Sequence, residues 1–109
     1  MMIEGLWAVQ YVGLEGNGGG VAVFENGKVL GGDTGYTYVG TYTIQNNTLK
    51  ARVKVSNFLP DVPNVLGLQG DFDLEINAPV TGDLIQGAMT LVGRPGAGIV
   101  VRFMKKASL

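Results

Sequence analysis

Alternation of apolar and polar residues with a period of two dominates this chain, and helical periodicity is almost absent. Glycine and asparagine interrupt the alternation at short, regular intervals, most visibly over residues 18–42. Because successive side chains of a strand point to opposite faces, this pattern is typical of half-buried strands joined by tight turns. It favours a β-barrel or a β-sandwich over a fold in which strands alternate with helices.

The interruptions divide the chain into about eight predicted strands. We place them at residues 6–12, 21–25, 28–32, 36–44, 48–57, 69–78, 83–92 and 98–105. Asn26 and Gly27 predict a type I′ hairpin turn, and the other short connections are residues 15–20, 33–35, 46–47 and 94–96. Residues 58–67 contain two prolines and break the alternation, so we expect a loop or a single helical turn there.

This strand order predicts one all-β domain over residues 1–109, a small eight-stranded antiparallel up-and-down β-barrel. Neighbours in sequence should be neighbours in space, and closure removes the unpaired edges that an open sheet would expose. An open sandwich of two sheets is the alternative.

Charge and composition exclude several classes of partner. The chain carries 8 basic and 9 acidic residues, for a net charge of -1, which gives no electrostatic attraction to nucleic acid or to an anionic membrane. The N-terminus lacks the pattern of a signal peptide, and no apolar run approaches the roughly 20 residues of a membrane-spanning helix. With no cysteine, the chain has no disulfides. We expect a soluble, cytoplasmic protein.

Two charged stripes should lie side by side on the outer surface. Lys50, Arg52 and Lys54 alternate with inward apolar residues on one predicted strand, and Asp71, Asp73 and Glu75 do so on the next. Adjacent antiparallel strands would then form cross-strand ion pairs. The alternative is a charged docking patch.

Several strands are apolar on both faces, although a small barrel has only one interior. Surplus apolar faces of soluble proteins commonly mark interfaces. We therefore predict a homodimer through the outer face of the first, second and terminal strands, with contacts from Val21, Val23, Ile85, Met89, Val100 and Met104. The alternative is that a loop or a terminus covers this face.

The residue types argue against an enzyme. The chain has no His and no Cys, and no carboxylate falls at an inward position of a predicted strand. Asp33, Asp61 and Asp83 fall in turns, where Asp bonds nearby backbone N–H groups. The glycines of residues 16–20 lack the Lys-Ser/Thr of a phosphate loop, and no helix follows them. We predict no catalytic residue, no metal site and no cofactor.

Three tyrosines on one strand face the predicted interior. Tyr36, Tyr38 and Tyr42 would either fill a dry core or line a small pocket, since an eight-stranded barrel has room for packed side chains or for one small ligand. The alternation leaves both possibilities open.

A short motif in the first predicted strand resembles a known family of barrels. Gly5-Leu6-Trp7 resembles the G-x-W of lipocalins and fatty-acid-binding proteins, in which an Arg from the last strand covers the Trp. It implies a lipocalin- or calycin-like barrel in which Trp7 plugs one end and Arg102 closes that end through a cation–π contact, a structural pair rather than a ligand site.

Over nearly its full length the chain resembles the GrlR family of negative regulators of type III secretion. The resemblance rests on Glu4 to Trp7, on residues 20–28, on Gly31-Gly32-Asp33 running into Tyr38-Val39-Gly40, and on residues 57–66. It implies a dimeric eight-stranded barrel that binds a transcriptional activator and keeps it off DNA. In that family an acidic loop between the fourth and fifth strands contacts the activator, whereas this chain has the uncharged residues Gln45, Asn46, Asn47 and Thr48 there.

Two hypotheses about function follow. The first is a non-catalytic interaction protein that binds itself and a transcriptional regulator. The second is a lipocalin-like binding protein that holds a small apolar ligand inside the barrel.

Overall fold

The computed structural model describes residues 3–13, 16–62 and 70–109, and every regular element in these ranges is a β-strand. The strands are β1 (Gly5–Gly13), β2 (Gly16–Glu25), β3 (Lys28–Gly32), β4 (Tyr36–Gln45), β5 (Thr48–Asn57), β6 (Phe72–Thr81), β7 (Leu84–Leu91) and β8 (Arg94–Ser108). All pairings are antiparallel and follow the order of the chain.

The sheet closes into a barrel because β1 pairs with β8. Gly5 lies opposite Ser108 and Val12 lies opposite Val100, with one shift of register between Leu6 and Trp7. The predicted all-β class and the closed eight-stranded antiparallel barrel are therefore confirmed, and the open sandwich is wrong. Every strand has two hydrogen-bonded neighbours, so the barrel has no free edge.

Two connections lie elsewhere than predicted. Residues 16–20 are not a turn but the first half of β2, paired residue by residue with the second half of β1. A ladder uses backbone groups alone, so glycines can join it without any side-chain signal in the sequence. Likewise residues 94–96 belong to β8, and β7 turns into β8 at Val92 and Gly93. The predicted turn at residue 15 and much of the predicted loop of residues 58–67 lie outside the described residues.

Two hairpin turns have the backbone that their residues predict. Asn26 and Gly27 have φ angles of 50° and 78°, and Asn46 and Asn47 have φ angles of 52° and 57°. Type I′ turns require positive φ at both central positions, and glycine and asparagine adopt it most readily. These turns set the registers of β2 with β3 and of β4 with β5.

The core is built from the inward face of each strand. On β5, Leu49, Ala51, Val53 and Val55 are buried and alternate with exposed Lys50, Arg52 and Lys54. At one end of the barrel an aromatic cluster fills the interior, with the Phe24 ring 5.9 Å from Trp7, 5.2 Å from Tyr42 and 5.6 Å from Phe103. This end, which also carries the Asn26-Gly27 and Asn46-Asn47 turns, is called the Trp7 end below.

The charged stripes lie side by side outside the barrel, as predicted. Arg52 is opposite Glu75 and Lys54 is opposite Asp73 in the register of β5 with β6. The Arg52 guanidinium lies 3.7 Å from the Asp73 carboxylate, and both side chains are largely exposed. Asp71 precedes β6 and accepts a hydrogen bond of 3.1 Å from the backbone N–H of Asn57. Exposed pairs of this kind contribute little to stability.

Candidate functional site

The barrel interior is hollow at the end opposite Trp7. This end carries the turn between β3 and β4 and is called the Asp33 end. A cavity of about 230 Å³ extends into the barrel from it. Apolar side chains from most of the strands form its walls, among them Val9, Val29, Val53, Leu74, Met89 and Phe103. The interior is therefore a packed core at one end and a pocket at the other.

Asp33 organises the polar end of this cavity. Its Oδ1 accepts hydrogen bonds of 3.0 Å from the backbone N–H groups of Gly35 and Tyr36, which is the turn-capping role expected of an Asp here. Its Oδ2 accepts hydrogen bonds from the hydroxyls of Tyr11, at 2.5 Å, and of Tyr38. The two phenol oxygens lie 3.2 Å apart. We call these three side chains the Tyr–Asp–Tyr cluster.

The environment of the cluster keeps both phenols protonated. Burial, together with the hydrogen bond to the Asp33 carboxylate, raises the pKa of Tyr11 to about 12. Burial also raises the pKa of Tyr38 far above its ordinary value, and the hydrogen bonds to Asp33 and Tyr11 raise it further. Near neutral pH both hydroxyls are therefore donors to Asp33. A phenol with so high a pKa is poorly suited to general acid–base catalysis.

Two glycines of β2 leave the space that the cluster occupies. A Cβ at Gly18 would lie 2.4 Å from a ring carbon of Tyr11. A Cβ at Gly20 would lie 3.0 Å from the Tyr38 hydroxyl and 3.1 Å from Cβ of Asp33. The glycine-rich sequence that resembles a flexible turn is thus a strand segment over which the tyrosines pack.

The three predicted barrel-lining tyrosines lie on the inward face of β4 but differ in surroundings. Tyr36 and Tyr38 line the cavity, and the Tyr36 hydroxyl donates a 3.0 Å hydrogen bond to the carbonyl oxygen of Val62. Tyr42 lies at the Trp7 end, where it packs edge-on against Phe24. Burial raises the pKa of Tyr42 as well.

The predicted pair of Trp7 and Arg102 does not form. Trp7 is fully buried at its end of the barrel, where its indole N–H donates a 2.8 Å hydrogen bond to the carbonyl oxygen of Ile3. Arg102 is exposed on the outer face of β8, opposite Gln10, whereas Trp7 is opposite Lys105. Since Val101 and Phe103 point inward, the residue between them must point outward.

The residues predicted for a dimer face divide into two sets. Val21 and Val100 are exposed, and Val23 and Met104 are partly exposed on the outside of the barrel. Ile85 and Met89 are instead buried inside, at 0% and 7% exposure, so their assignment to an outer face is wrong. The other face of β7 carries Gln86 and Thr90, and the pairing of Ile85 with Phe103 of β8 agrees with the inward placement of Ile85.

The described part of the chain contains no group of three or more His, Cys, Asp or Glu side chains arranged to hold a metal ion. No helix in that part is long and apolar enough to cross a membrane.

A known family covers almost the entire chain. The family model described as the type III secretion system negative regulator GrlR matches residues 2–107 of the 109 residues. The chain belongs to the GrlR family. The resemblance seen in the sequence is therefore confirmed, and membership implies a negative regulator of type III secretion. No curated protein matches the chain closely enough to add a relative.

The sequence does not predict the Tyr–Asp–Tyr cluster directly. Asp33 falls in a turn, where a capping role is expected, yet a turn residue at the barrel rim can still point inward. One signal was present, because Tyr11 and Tyr38 both fall at inward positions near that rim and glycines fall on the strand that pairs with Tyr11.

Proposed function

We propose that this member of the GrlR family is a non-catalytic, cytoplasmic protein that lowers type III secretion by binding other proteins. One partner is a second copy of the chain, and another is a transcriptional activator that the barrel keeps off DNA. Family membership supports the negative-regulator role. The observation that carries the binding role is the apolar outer face of the barrel.

This apolar outer face is formed by outward side chains of neighbouring strands that lie opposite one another in register. Leu6 of β1 is opposite Val23 of β2, Val23 is opposite Leu30 of β3, and Leu30 is opposite Val39 of β4. A further apolar pair, Val12 and Val100, lies across β1 and β8, separated from Leu6 by exposed Gln10 and Arg102. A continuous apolar row such as that from Leu6 to Val39 commonly marks an interface on a soluble protein.

The composition of this face supports a second copy as its occupant. Val21, Val39 and Val100 are about half exposed, at 50%, 54% and 54%. Charged side chains border this face, since Lys54 of β5 lies opposite Val39 and Arg102 of β8 lies opposite Gln10 of β1. The row from Leu6 to Val39 itself carries no charge and is complementary to itself, so it suits a two-fold dimer in which the same surface is buried on both partners.

The activator requires a different surface from the one used elsewhere in the family. The β4–β5 turn is the two-residue Asn46-Asn47 hairpin, which carries no charge. It cannot attract a basic DNA-binding surface by charge complementarity. We therefore assign the activator to a surface of the barrel wall rather than to this turn.

A direct test of this function uses transcription and DNA binding. Raising the level of the chain in cells that carry type III secretion genes should lower output from a secretion promoter. With purified components, the chain should displace the activator from promoter DNA. Unchanged promoter output, with the chain accumulating and folded, would contradict the proposal, as would an activator that stays on DNA at excess chain.

Paired variants separate the outer face from general stability. Val21→Asp places a charge on the apolar outer face and should weaken repression if the dimer is needed for it. Thr43→Asp is the matched control, because Thr43 is exposed on β4 outside that face and lies opposite Lys50. Both variants should accumulate and fold like the unmodified protein.

A second candidate function is the binding of a small, largely apolar ligand within the barrel. The cavity of about 230 Å³ at the Asp33 end favours it. An apolar cavity of about 150 Å³ already suffices to bind benzene in another protein, so this one has room for a somewhat larger molecule.

A further inference from the structure

We propose that the cavity selects an apolar molecule with a hydrogen-bond-donating head, an aliphatic alcohol or amine of about nine non-hydrogen atoms, and rejects the corresponding carboxylate. The head would lie on the Tyr–Asp–Tyr cluster and the chain would extend into the barrel. This inference rests on the second candidate function above and adds the chemistry of the ligand.

Both phenol protons of the cluster are already used in hydrogen bonds within it. A phenol has one proton to donate, and both Tyr11 and Tyr38 donate theirs to Oδ2 of Asp33. The other carboxylate oxygen of Asp33 already accepts two backbone N–H groups. What the cluster offers to a ligand is therefore a set of acceptors, namely the lone pairs of two phenol oxygens beside a carboxylate. Asn17 and Thr34 also line the cavity and carry donors, but a head placed on the cluster itself must donate a hydrogen bond.

The charged lining of the cavity disfavours an anionic ligand. Among the described residues that line it, Asp33 is the one charged side chain, and none is Lys or Arg. A fatty-acid carboxylate placed at the cluster would face a like charge in a partly buried site with no cation to compensate it. A hydroxyl or an ammonium group would instead donate to the acceptors, and the ammonium would gain attraction to Asp33 as well.

Two glycines of β2 provide the space in which the cluster packs. Gly18 leaves room for the Tyr11 ring, and Gly20 leaves room for the Tyr38 hydroxyl and for Asp33. Any larger residue at Gly20 would also approach the carbonyl oxygen of Gly32, which lies 2.5 Å from the Cβ position. The polar end of the cavity is thus held in place by β2 and by the turn after β3.

The volume sets the size of the ligand. Scaling from six carbon atoms in a cavity of about 150 Å³ gives room for about nine non-hydrogen atoms in the cavity of about 230 Å³. This corresponds to 1-octanol or octylamine, and octanoate is the matched anionic probe.

The test is isothermal titration of the full chain with 1-octanol, octylamine, octanoate and toluene at one pH and ionic strength. We expect 1-octanol and octylamine to bind at least about tenfold more tightly than octanoate, since a tenfold ratio needs only about 1.4 kcal/mol. Asp33→Asn should reduce this preference. Tyr38→Phe should weaken binding of 1-octanol severalfold and leave binding of toluene unchanged.

The control for Tyr38→Phe is Tyr42→Phe, which removes a hydroxyl from the same face of β4 at the Trp7 end and should not alter binding. Circular dichroism identifies any variant that fails to fold, and the probe series on the unmodified chain decides the question without variants. Octanoate binding as tightly as 1-octanol would overturn the head-group inference while leaving ligand binding intact. Failure of all four probes to bind would overturn ligand binding itself.

Discussion

The inside of β7 offers the sharpest test of the barrel register. Ile85 has an exposure of 0%, and it lies opposite Val80 of β6 and Phe103 of β8. Ile85→Ala removes three carbon atoms, which at about 0.8 kcal/mol per buried CH₂ loses about 2.4 kcal/mol of transfer free energy. The surrounding strands are fixed by ladder hydrogen bonds on both sides, so they cannot move in to fill the space.

The cavity left behind adds to this loss, and Ile→Ala changes in protein cores cost about 2–5 kcal/mol in total. We expect the free energy of unfolding to fall by about 3–4 kcal/mol. Denaturant unfolding followed by tryptophan fluorescence measures it, because Trp7 is the one tryptophan and is fully buried. Thr43→Ala, an exposed β-branched control, should change stability by less than about 0.5 kcal/mol. A loss below about 1 kcal/mol for Ile85→Ala, at an unchanged slope, would refute the inward placement of Ile85.

Three further predictions follow from the cluster and the surface. Because the pKa of Tyr11 is raised from 10.0 to about 12 and that of Tyr38 is also raised, the stability that their protonated forms contribute is complete below pH 10 and is lost as the pH rises towards 12. Absorbance titration of tyrosinate should show that Tyr11 and Tyr38 ionise late, while the pKa of Tyr42 is also raised; ionisation of every tyrosine near pH 10 with native fold retained would contradict this. Gly18→Ala should destabilise the fold by about 1–3 kcal/mol through overpacking against the Tyr11 ring; thermal melts should show much of that cost relieved when Tyr11→Ala is added, and strict additivity would argue against the contact. Arg52→Ala should lower the free energy of unfolding by less than about 1 kcal/mol in denaturant unfolding, since its ion pair is exposed. A larger loss would contradict the minor role of this ion pair.

Much of the barrel could be predicted because apolar and polar residues alternate strictly on strands that have one solvent-exposed face. On β5 each inward residue is apolar and each lysine or arginine between them is exposed, so the sequence alone defines the register. The Asn26-Gly27 turn is equally clear, because its backbone requires positive φ at both positions.

The prediction of strands and of their inward faces was wrong at three places. Residues 16–20 are mostly glycine, so neither their strand nor its pairing with β1 has a hydrophobic signature. On β7 the contrast between the two faces is present, because Gln86 and Thr90 lie on the face opposite Ile85 and Met89, so alternation along the strand indicates that these two lie inside, as the pairing with β8 shows. Arg102 is a different case, because alternation with Val101 and Phe103 places it outside, whereas the motif resemblance implies a contact with Trp7 that does not form.

The Tyr–Asp–Tyr cluster could not be predicted from the sequence of any single strand. It joins Tyr11 of β1, Tyr38 of β4 and a turn residue, which become neighbours only when the barrel curves and closes. Local periodicity predicts faces of a strand, whereas a site at the rim depends on how the whole sheet is bent.

We propose that the apolar outer face binds protein, in the first place a second copy of the chain. Light scattering coupled to size-exclusion chromatography measures this association at micromolar concentration. The chain has a mass of 11.5 kDa, so we predict about 23 kDa (2 × 11.5) for the unmodified protein. Val21→Asp should shift that mass towards the monomer while Thr43→Asp leaves it unchanged. A mass of about 11.5 kDa for the unmodified, folded protein would contradict the claim.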